Sequence, residues 1–255
     1  MLKKRVIPVL LLSGKRTVKG KNFKNYIDTG NPVTQVKIYS SQHADEIIFI
    51  DIDASSKSKQ TLKDTIRIAS KESHMPFTAG GGIKKLEDIH EILSEGADKV
   101  IINTAAYYDE KLIIDAVKTF GSQAIILGID YKLDTKDNKY YVWTHSGLKK
   151  TKMDPLKLAL KYQDLNIGEL FINSIDRDGV MGGFDIDLSC KISKELKIPV
   201  VSSGGAGNFS HIIELFQKTE VTAAACGSIF HFGDNSPLRA RSYLKNQGFE
   251  VRKIK

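Results

Sequence analysis

The sequence has little cysteine and no long apolar run. Its 255 residues include two cysteines, Cys190 and Cys226, with no C-x-x-C pair or Cys/His cluster beside them. A disulfide-stapled secreted scaffold and a structural zinc site are therefore not expected. The longest apolar stretches, Val6 to Leu12 and Glu46 to Ile52, fall far short of the ~20 residues a membrane-spanning helix requires, so no membrane association is expected. The start, Met1-Leu-Lys-Lys-Arg5, has neither an apolar signal core nor a small-residue cleavage site, which points to the cytoplasm. RNP, zinc-finger and helix-turn-helix patterns are also missing, and this matters because a net charge of +8 and a pI of about 9.2 otherwise suggest nucleic acid. The lysines are spread along the chain, Lys149-Lys150-Thr151-Lys152 being the densest run. A solvated basic surface that favours anionic small molecules, with no nucleic-acid partner, is the expectation. No motif requires a cofactor or a metal.

What is present is a repeated alternation. Short apolar, β-branched runs at Arg5–Leu12, Glu46–Asp51, Pro76–Ala79, Lys99–Asn103, Ala124–Asp130, Glu169–Ser174, Pro199–Ser203 and Val221–Cys226 have the pattern of buried parallel strands. Helix-length segments with 3.6-residue spacing follow them at Pro32–His43, Lys59–Glu72, Lys85–Glu95, Glu110–Phe120, Pro155–Leu165, Asp187–Leu196, Ser210–Gln217 and Pro237–Asn246. Eight such units predict a (β/α)8 TIM barrel, with an open doubly wound sheet as the alternative. The stretch Thr78-Ala-Gly-Gly-Gly-Ile-Lys-Lys-Leu-Glu-Asp-Ile parallels Ser202-Ser-Gly-Gly-Ala-Gly-Asn-Phe-Ser-His-Ile-Ile, each a strand end, a glycine cluster and an amphipathic helix. One domain spanning residues 1–255, built from half-barrels of about 1–121 and 122–255, is expected.

Glycines at the C-terminal ends of barrel strands let backbone N–H groups approach an anion, and the next helix start adds a favourable dipole. One candidate phosphate cradle is Gly81, Gly82, Asn103 and Thr104; its counterpart is Asp178, Gly179, Gly204, Gly205, Gly227 and Ser228. Two cradles in corresponding positions predict a substrate with phosphate at both ends. A carboxylate between them would act as general acid or base. Asp130, which ends an apolar run, is the candidate catalytic residue, with an ion-pair partner at the strand end as the alternative. Asp51 and Asp176, also at or just beyond strand ends, and Lys19, in the glycine-flanked segment Ser13–Gly20 read as a loop, are auxiliary candidates. At the opposite face Arg5, Glu46, Lys99 and Glu169 start four strands, either as a structural salt-bridge ring or as a gate on a passage through the barrel.

Several motifs, in order, resemble one family: Lys4-Arg5 with Val18-Lys19-Gly20, Phe77-Thr-Ala-Gly-Gly-Gly-Ile83, Ala97-Asp98-Lys99-Val100, Asn103-Thr-Ala-Ala106, Phe120-Gly-Ser-Gln-Ala124, Ser174-Ile-Asp-Arg-Asp-Gly179 and Ser203-Gly-Gly-Ala-Gly207. They span nearly the whole chain and are similar to HisF, the cyclase subunit of imidazole glycerol phosphate synthase. The resemblance implies a heterodimer with a HisH-like glutaminase docked on the N-terminal face near Asp98. Ammonia would pass the gate formed by Arg5, Glu46, Lys99 and Glu169. It would then react with a bis-phosphorylated ribulosyl aminoimidazole carboxamide ribotide, giving imidazole glycerol phosphate and AICAR. Neither Cys190 nor Cys226 lies in a turn suited to a nucleophilic thiol, so the glutaminase is expected on a separate chain. The family uses an aspartate at the end of the first strand as well as one at the end of the fifth. Asp130 matches the second; Leu11 occupies the first. Asn173 stands where the family tends to have threonine. Two further functions therefore stay open: delivery of ammonia to another acceptor, as in amidination of an acetamido sugar for surface polysaccharide, and non-catalytic activation of the glutaminase.

Overall fold

The computed structural model describes residues 3–53, 56–72 and 75–252, with the side chains of residues 56–61 set aside, so Met1 and Leu2 lie outside it. Twelve strands occur among the described residues: β1 Arg5–Ser13, β2 Arg16–Lys21, β3 Lys24–Gly30, β4 Ile47–Asp51, β5 Phe77–Gly80, β6 Lys99–Ile102, β7 Ile125–Asp134, β8 Lys139–Thr144, β9 Lys149–Lys150, β10 Glu169–Ser174, β11 Val200–Ser203 and β12 Ala223–Cys226. Eight of them pair in parallel in the order β1-β4-β5-β6-β7-β10-β11-β12, and β12 returns to β1, closing a (β/α)8 barrel. The doubly wound alternative is excluded by that closure. The other four strands make antiparallel hairpin extensions, β2–β3 continuing from β1 and β8–β9 from β7.

The helices are α1 Pro32–Ser41, α2 Ser56–Glu72, α3 Leu86–Ser94, α4 Thr104–Tyr108, α5 Glu110–Phe120, α6 Pro155–Gln163, α7 Ile186–Glu195, α8 Phe209–Lys218, α9 Ser228–His231 and α10 Pro237–Asn246. Their starts are written into the sequence. Asn31, Asp109, Asp154, Asp185, Asn208 and Ser236 each accept a hydrogen bond from the backbone N–H three residues on, a cap worth about 1 kcal/mol. Proline at the first turn of α1, α6 and α10 sets φ where no donor is needed. No helix among the described residues is long and apolar enough to cross a membrane.

Strand alternation sorts the apolar residues into two cores. Ile7, Val9, Ile48, Ile101, Ile126, Phe171, Val201, Ala223 and Ala225 fill the barrel interior, while the larger cluster lies between sheet and helices. One ion pair ties the last helix to the barrel: Arg241 Nη2 lies 2.8 Å from Asp45 Oδ1, both buried, while Asp45 Oδ2 accepts from Val6 N at 3.2 Å. Burial pushes the Asp45 carboxyl up, against the pull of Arg241. Arg241→Met should destabilise the protein by about 3–5 kcal/mol, because it leaves a buried carboxylate uncompensated; chemical denaturation measures it.

Candidate active site

The C-terminal ends of the barrel strands open into a cavity of about 430 Å³. Register determines its wall. Asp130 on β7 sits beside Asn173 on β10, and Asn173 beside Ser203 on β11, making a polar arc. Four strands round the barrel from β7, Leu11 on β1 pairs with Ile50 on β4, and both pack on the interior apolar cluster. Asp130 thus lies in a polar arc, while Leu11 and Ile50 present hydrocarbon across from it, next to Asp51 and Lys19, which also line the cavity.

Asp130 accepts a hydrogen bond from Asn103 Nδ2 at 2.8 Å. Burial is the main influence on its carboxyl and pushes it up to about 7; hydrogen bonds from Asn103 and Asn173 oppose that rise, and the Asp178 charge adds to it. A carboxyl that titrates near neutrality can both donate and accept a proton under working conditions.

All ten cradle candidates line this one cavity. Gly81 and Gly205 occupy corresponding turns with φ of +101° and +111°, and a Cβ would come within 2.1 Å of Asp51 O in the first and 2.0 Å of Gly183 O in the second. Only glycine fits either turn. The side chain of Asn103 is directed to Asp130 rather than to a ligand, and Thr104 Oγ1 accepts from His145 N at 3.0 Å. On the other side, Ser228 Oγ is buried with no hydrogen-bond partner among the described residues.

The auxiliary candidates separate. Asp51 lines the cavity and holds the Asp53 N–H at 2.9 Å through Oδ1, while its buried Oδ2 has no partner among the described residues. Lys19 is not in a loop: it lies on β2, 5% exposed, with Nζ 2.5 Å from Asp178 Oδ1. The glycine beside it does not open a turn; Gly20 packs against Tyr26 of the facing strand. Asp176 does not reach the cavity. It is exposed, and its carboxylate accepts from Leu133 N at 3.0 Å, outside the barrel mouth.

At the opposite end, Arg5, Glu46, Lys99 and Glu169 form one ring. Arg5 contacts Glu46 at 2.9 Å and also Glu169; Lys99 contacts Glu169 at 3.0 Å and Glu46 at 3.5 Å. Thr78 Oγ1 donates to Glu46 Oε1 at 2.6 Å. Burial works against the Arg5 charge, but Glu169 and Glu46 outweigh it and hold its pKa above the ordinary arginine value. Asp98 is exposed at the same end, its Oδ2 accepting from Phe77 N at 2.7 Å.

Phe23, Tyr26, Tyr108 and His145 also line the cavity, and the strand-and-helix pattern did not reveal them. Two come from the β2–β3 hairpin and one from the turn between β8 and β9. The signal was present in the alternation of Lys139-Tyr-Tyr-Val-Trp-Thr144 after Asp137-Asn138, where Asn138 takes a positive φ. Burial, reinforced by Asp178 and Asp130, pushes the Tyr26 hydroxyl up to about 12. Among the described residues no group of three or more His, Cys, Asp or Glu side chains could hold a metal ion.

Comparison with known proteins gives a consistent result. Residues 5–236 match the family described as histidine biosynthesis protein. The chain is 39% identical over 252 residues to the imidazole glycerol phosphate synthase subunit HisF of Streptococcus mutans, 43% identical to that of Pelodictyon phaeoclathratiforme and 42% identical to that of a Hydrogenobaculum species. Each alignment covers 99% of this chain and 100% of the relative.

Proposed function

The chain belongs to the histidine biosynthesis protein family, and from that premise we propose that it is the cyclase subunit of an imidazole glycerol phosphate synthase, working on ammonia supplied by a HisH-like glutaminase. The observation that carries this is the position of Asp130: it faces a cavity lined by both glycine cradles, at one end of a barrel whose other end is ringed by Arg5, Glu46, Lys99 and Glu169. The cradles would hold the two phosphates of the substrate through backbone N–H groups. Asp130, titrating near 7, would move the protons of ring closure. The charged ring would gate ammonia, and the apolar interior above it suits passage of a small neutral molecule rather than an ion. The corresponding Gly81 and Gly205 turns support treating residues 1–121 and 122–255 as two versions of one half-barrel.

Leu11 favours a second reading. With Leu11 at the end of the first strand, the cavity lacks the carboxyl that the family resemblance implies at that position, and a barrel that only conducts ammonia to another acceptor would not need it. None of the relatives named above speaks for polysaccharide assembly, so that acceptor rests on Leu11 alone.

The partner is tested by co-purification with a HisH-like glutaminase. Wild type should be retained, and Asp98→Lys should weaken retention about tenfold or more through a like-charge or unpaired contact at the docking face. Asp98→Asn, which keeps an acceptor for Phe77 N, separates docking from local folding. A wild-type chain that stays monomeric with its glutaminase at micromolar concentration would remove the channelling assignment.

A further inference from the structure

The positive charge of the chain is unevenly placed. Segment 14–30, which holds β2 and β3, carries five lysine or arginine residues against one carboxylate, and segment 132–152, which holds the end of β7 with β8 and β9, carries six against two. Together they account for the whole net charge of +8, and the rest of the chain is neutral. The two segments are the antiparallel hairpins that extend β1 and β7 beyond the barrel. They also meet: a Cβ on Gly147 would sit 3.0 Å from the Phe23 ring, so the turn after β2 touches the turn after β8. Their carboxylates are already engaged, Asp28 by Arg16 at 2.7 Å, Asp134 by Lys150, and Asp137 by the Tyr141 hydroxyl at 2.6 Å. Lys19 is turned inward to Asp178, but Lys21, Lys24, Lys136, Lys139, Lys149 and Lys152 are exposed, and none forms an ion pair among the described residues.

Apolar side chains interrupt these lysines. Leu148, in the turn after β8, is 83% exposed, more than any other large apolar side chain among the described residues, and Ile27 on β3 and Tyr108, packed on His145, are exposed as well. Three lysines lie over rings: Lys132 Nζ is 4.3 Å from the Trp143 centroid, Lys150 Nζ 3.9 Å from that of Tyr141 and Lys149 Nζ 5.2 Å from that of Tyr108. Ordered in this way before a partner arrives, they cost less to immobilise on binding. We propose that the two hairpins form a docking surface for a protein that presents an acidic face around an apolar centre, a partner separate from the glutaminase. An interface core takes apolar and aromatic groups inside a polar rim, which accounts for Leu148 and Ile27 among the lysines, and carboxylates on the partner complement the charge. A second copy of this chain would bring charge of the same sign. A nucleic acid would stack its bases on open ring faces, and lysines cover one face of each of these three rings. Phe23, Tyr26, Tyr108 and His145 belong both to this surface and to the cavity wall. The partner would therefore sit at the cavity opening, at the end of the barrel away from Asp98.

Binding of the full chain to a labelled glutamate-rich peptide with interspersed leucines tests this, beside an all-glutamate peptide, a single-stranded oligonucleotide, and vesicles of phosphatidylglycerol and phosphatidylcholine. The leucine-bearing acidic peptide should bind tightest of these probes. Leu148→Ser, which leaves the charge alone, should weaken it about tenfold, and Lys149→Glu combined with Lys152→Glu should weaken it about tenfold or more. Lys191→Glu combined with Lys194→Glu makes the same charge change at exposed positions of α7 and should alter affinity by no more than about twofold. Thermal melts of each variant confirm folding. Equal losses from the two lysine pairs would mean that only overall charge is read, and would overturn the proposal. So would unchanged affinity in a folded Leu148→Ser protein, equal binding of the all-glutamate peptide, or no saturable binding of the leucine-bearing one. Tighter binding of the oligonucleotide would assign the surface to nucleic acid, and tighter binding of the vesicles to an anionic bilayer; either result overturns a protein partner.

Discussion

Asp130→Asn is expected to lower turnover of the bis-phosphorylated substrate by about 10²–10⁴-fold, the usual cost of removing a positioned acid/base, with substrate affinity little changed. The near-isosteric amide still faces Asn103 and Asn173, and the cradles are untouched. The wild-type rate should show a step centred near pH 7, where Asp130 titrates, and the variant should lack it. The same variant has a stability signature. Burial raises the folded-state pKa of Asp130 from 3.8 to about 7, so the native state binds this proton more tightly than the unfolded chain. The stabilisation is complete below the unfolded value and is lost as pH rises toward 7. Asp130→Asn should therefore raise the melting temperature at pH 8 relative to wild type and have a much smaller effect at pH 4. A variant with full activity would mean that the proton is moved elsewhere.

Leu11→Asp is expected to change turnover in the opposite direction, by up to about 10²-fold or more, because it places a second carboxyl four strands round from Asp130. The backbone is ready for it. Leu11 pairs with Val18 on one side and Ile50 on the other, and the following turn is held by Asp53, whose carboxylate accepts from Ser13 Oγ at 3.2 Å and Gly14 N at 2.8 Å. An aspartate there would share the inward direction of Leu11 and lie against Ile50, where burial would raise its pKa. Steady-state kinetics with saturating ammonium salt measures the effect on kcat. Unchanged kcat in a folded variant that binds substrate normally would show that the missing carboxyl does not limit the reaction.

The eight barrel strands were legible because most of their residues are buried on both faces, so each carries a short apolar, β-branched run. Their helices were legible from 3.6-residue spacing, and the structure adds the caps, such as Asn31, Asp154 and Ser236, that start them. The hairpins were not legible in the same terms. β2 carries Arg16, Lys19 and Lys21 around Val18, and its inward lysine pairs with Asp178, more than 150 residues away. No local pattern announces a strand whose charged residue is buried by a distant partner. Both glycine clusters were readable, and both line the cavity, but Asp176 shows the limit of strand-end position as a guide: two residues before Asp178, on the same turn, it faces solvent and caps a backbone N–H.

The most direct test of the account is product formation from the bis-phosphorylated substrate with ammonium salt at alkaline pH and no glutaminase present. The account predicts that the isolated chain forms imidazole glycerol phosphate, slowly, and that Asp130→Asn abolishes it. Tight binding of the substrate with no product, in wild type and variant alike, would contradict it and leave the barrel as a conductor of ammonia to a different acceptor.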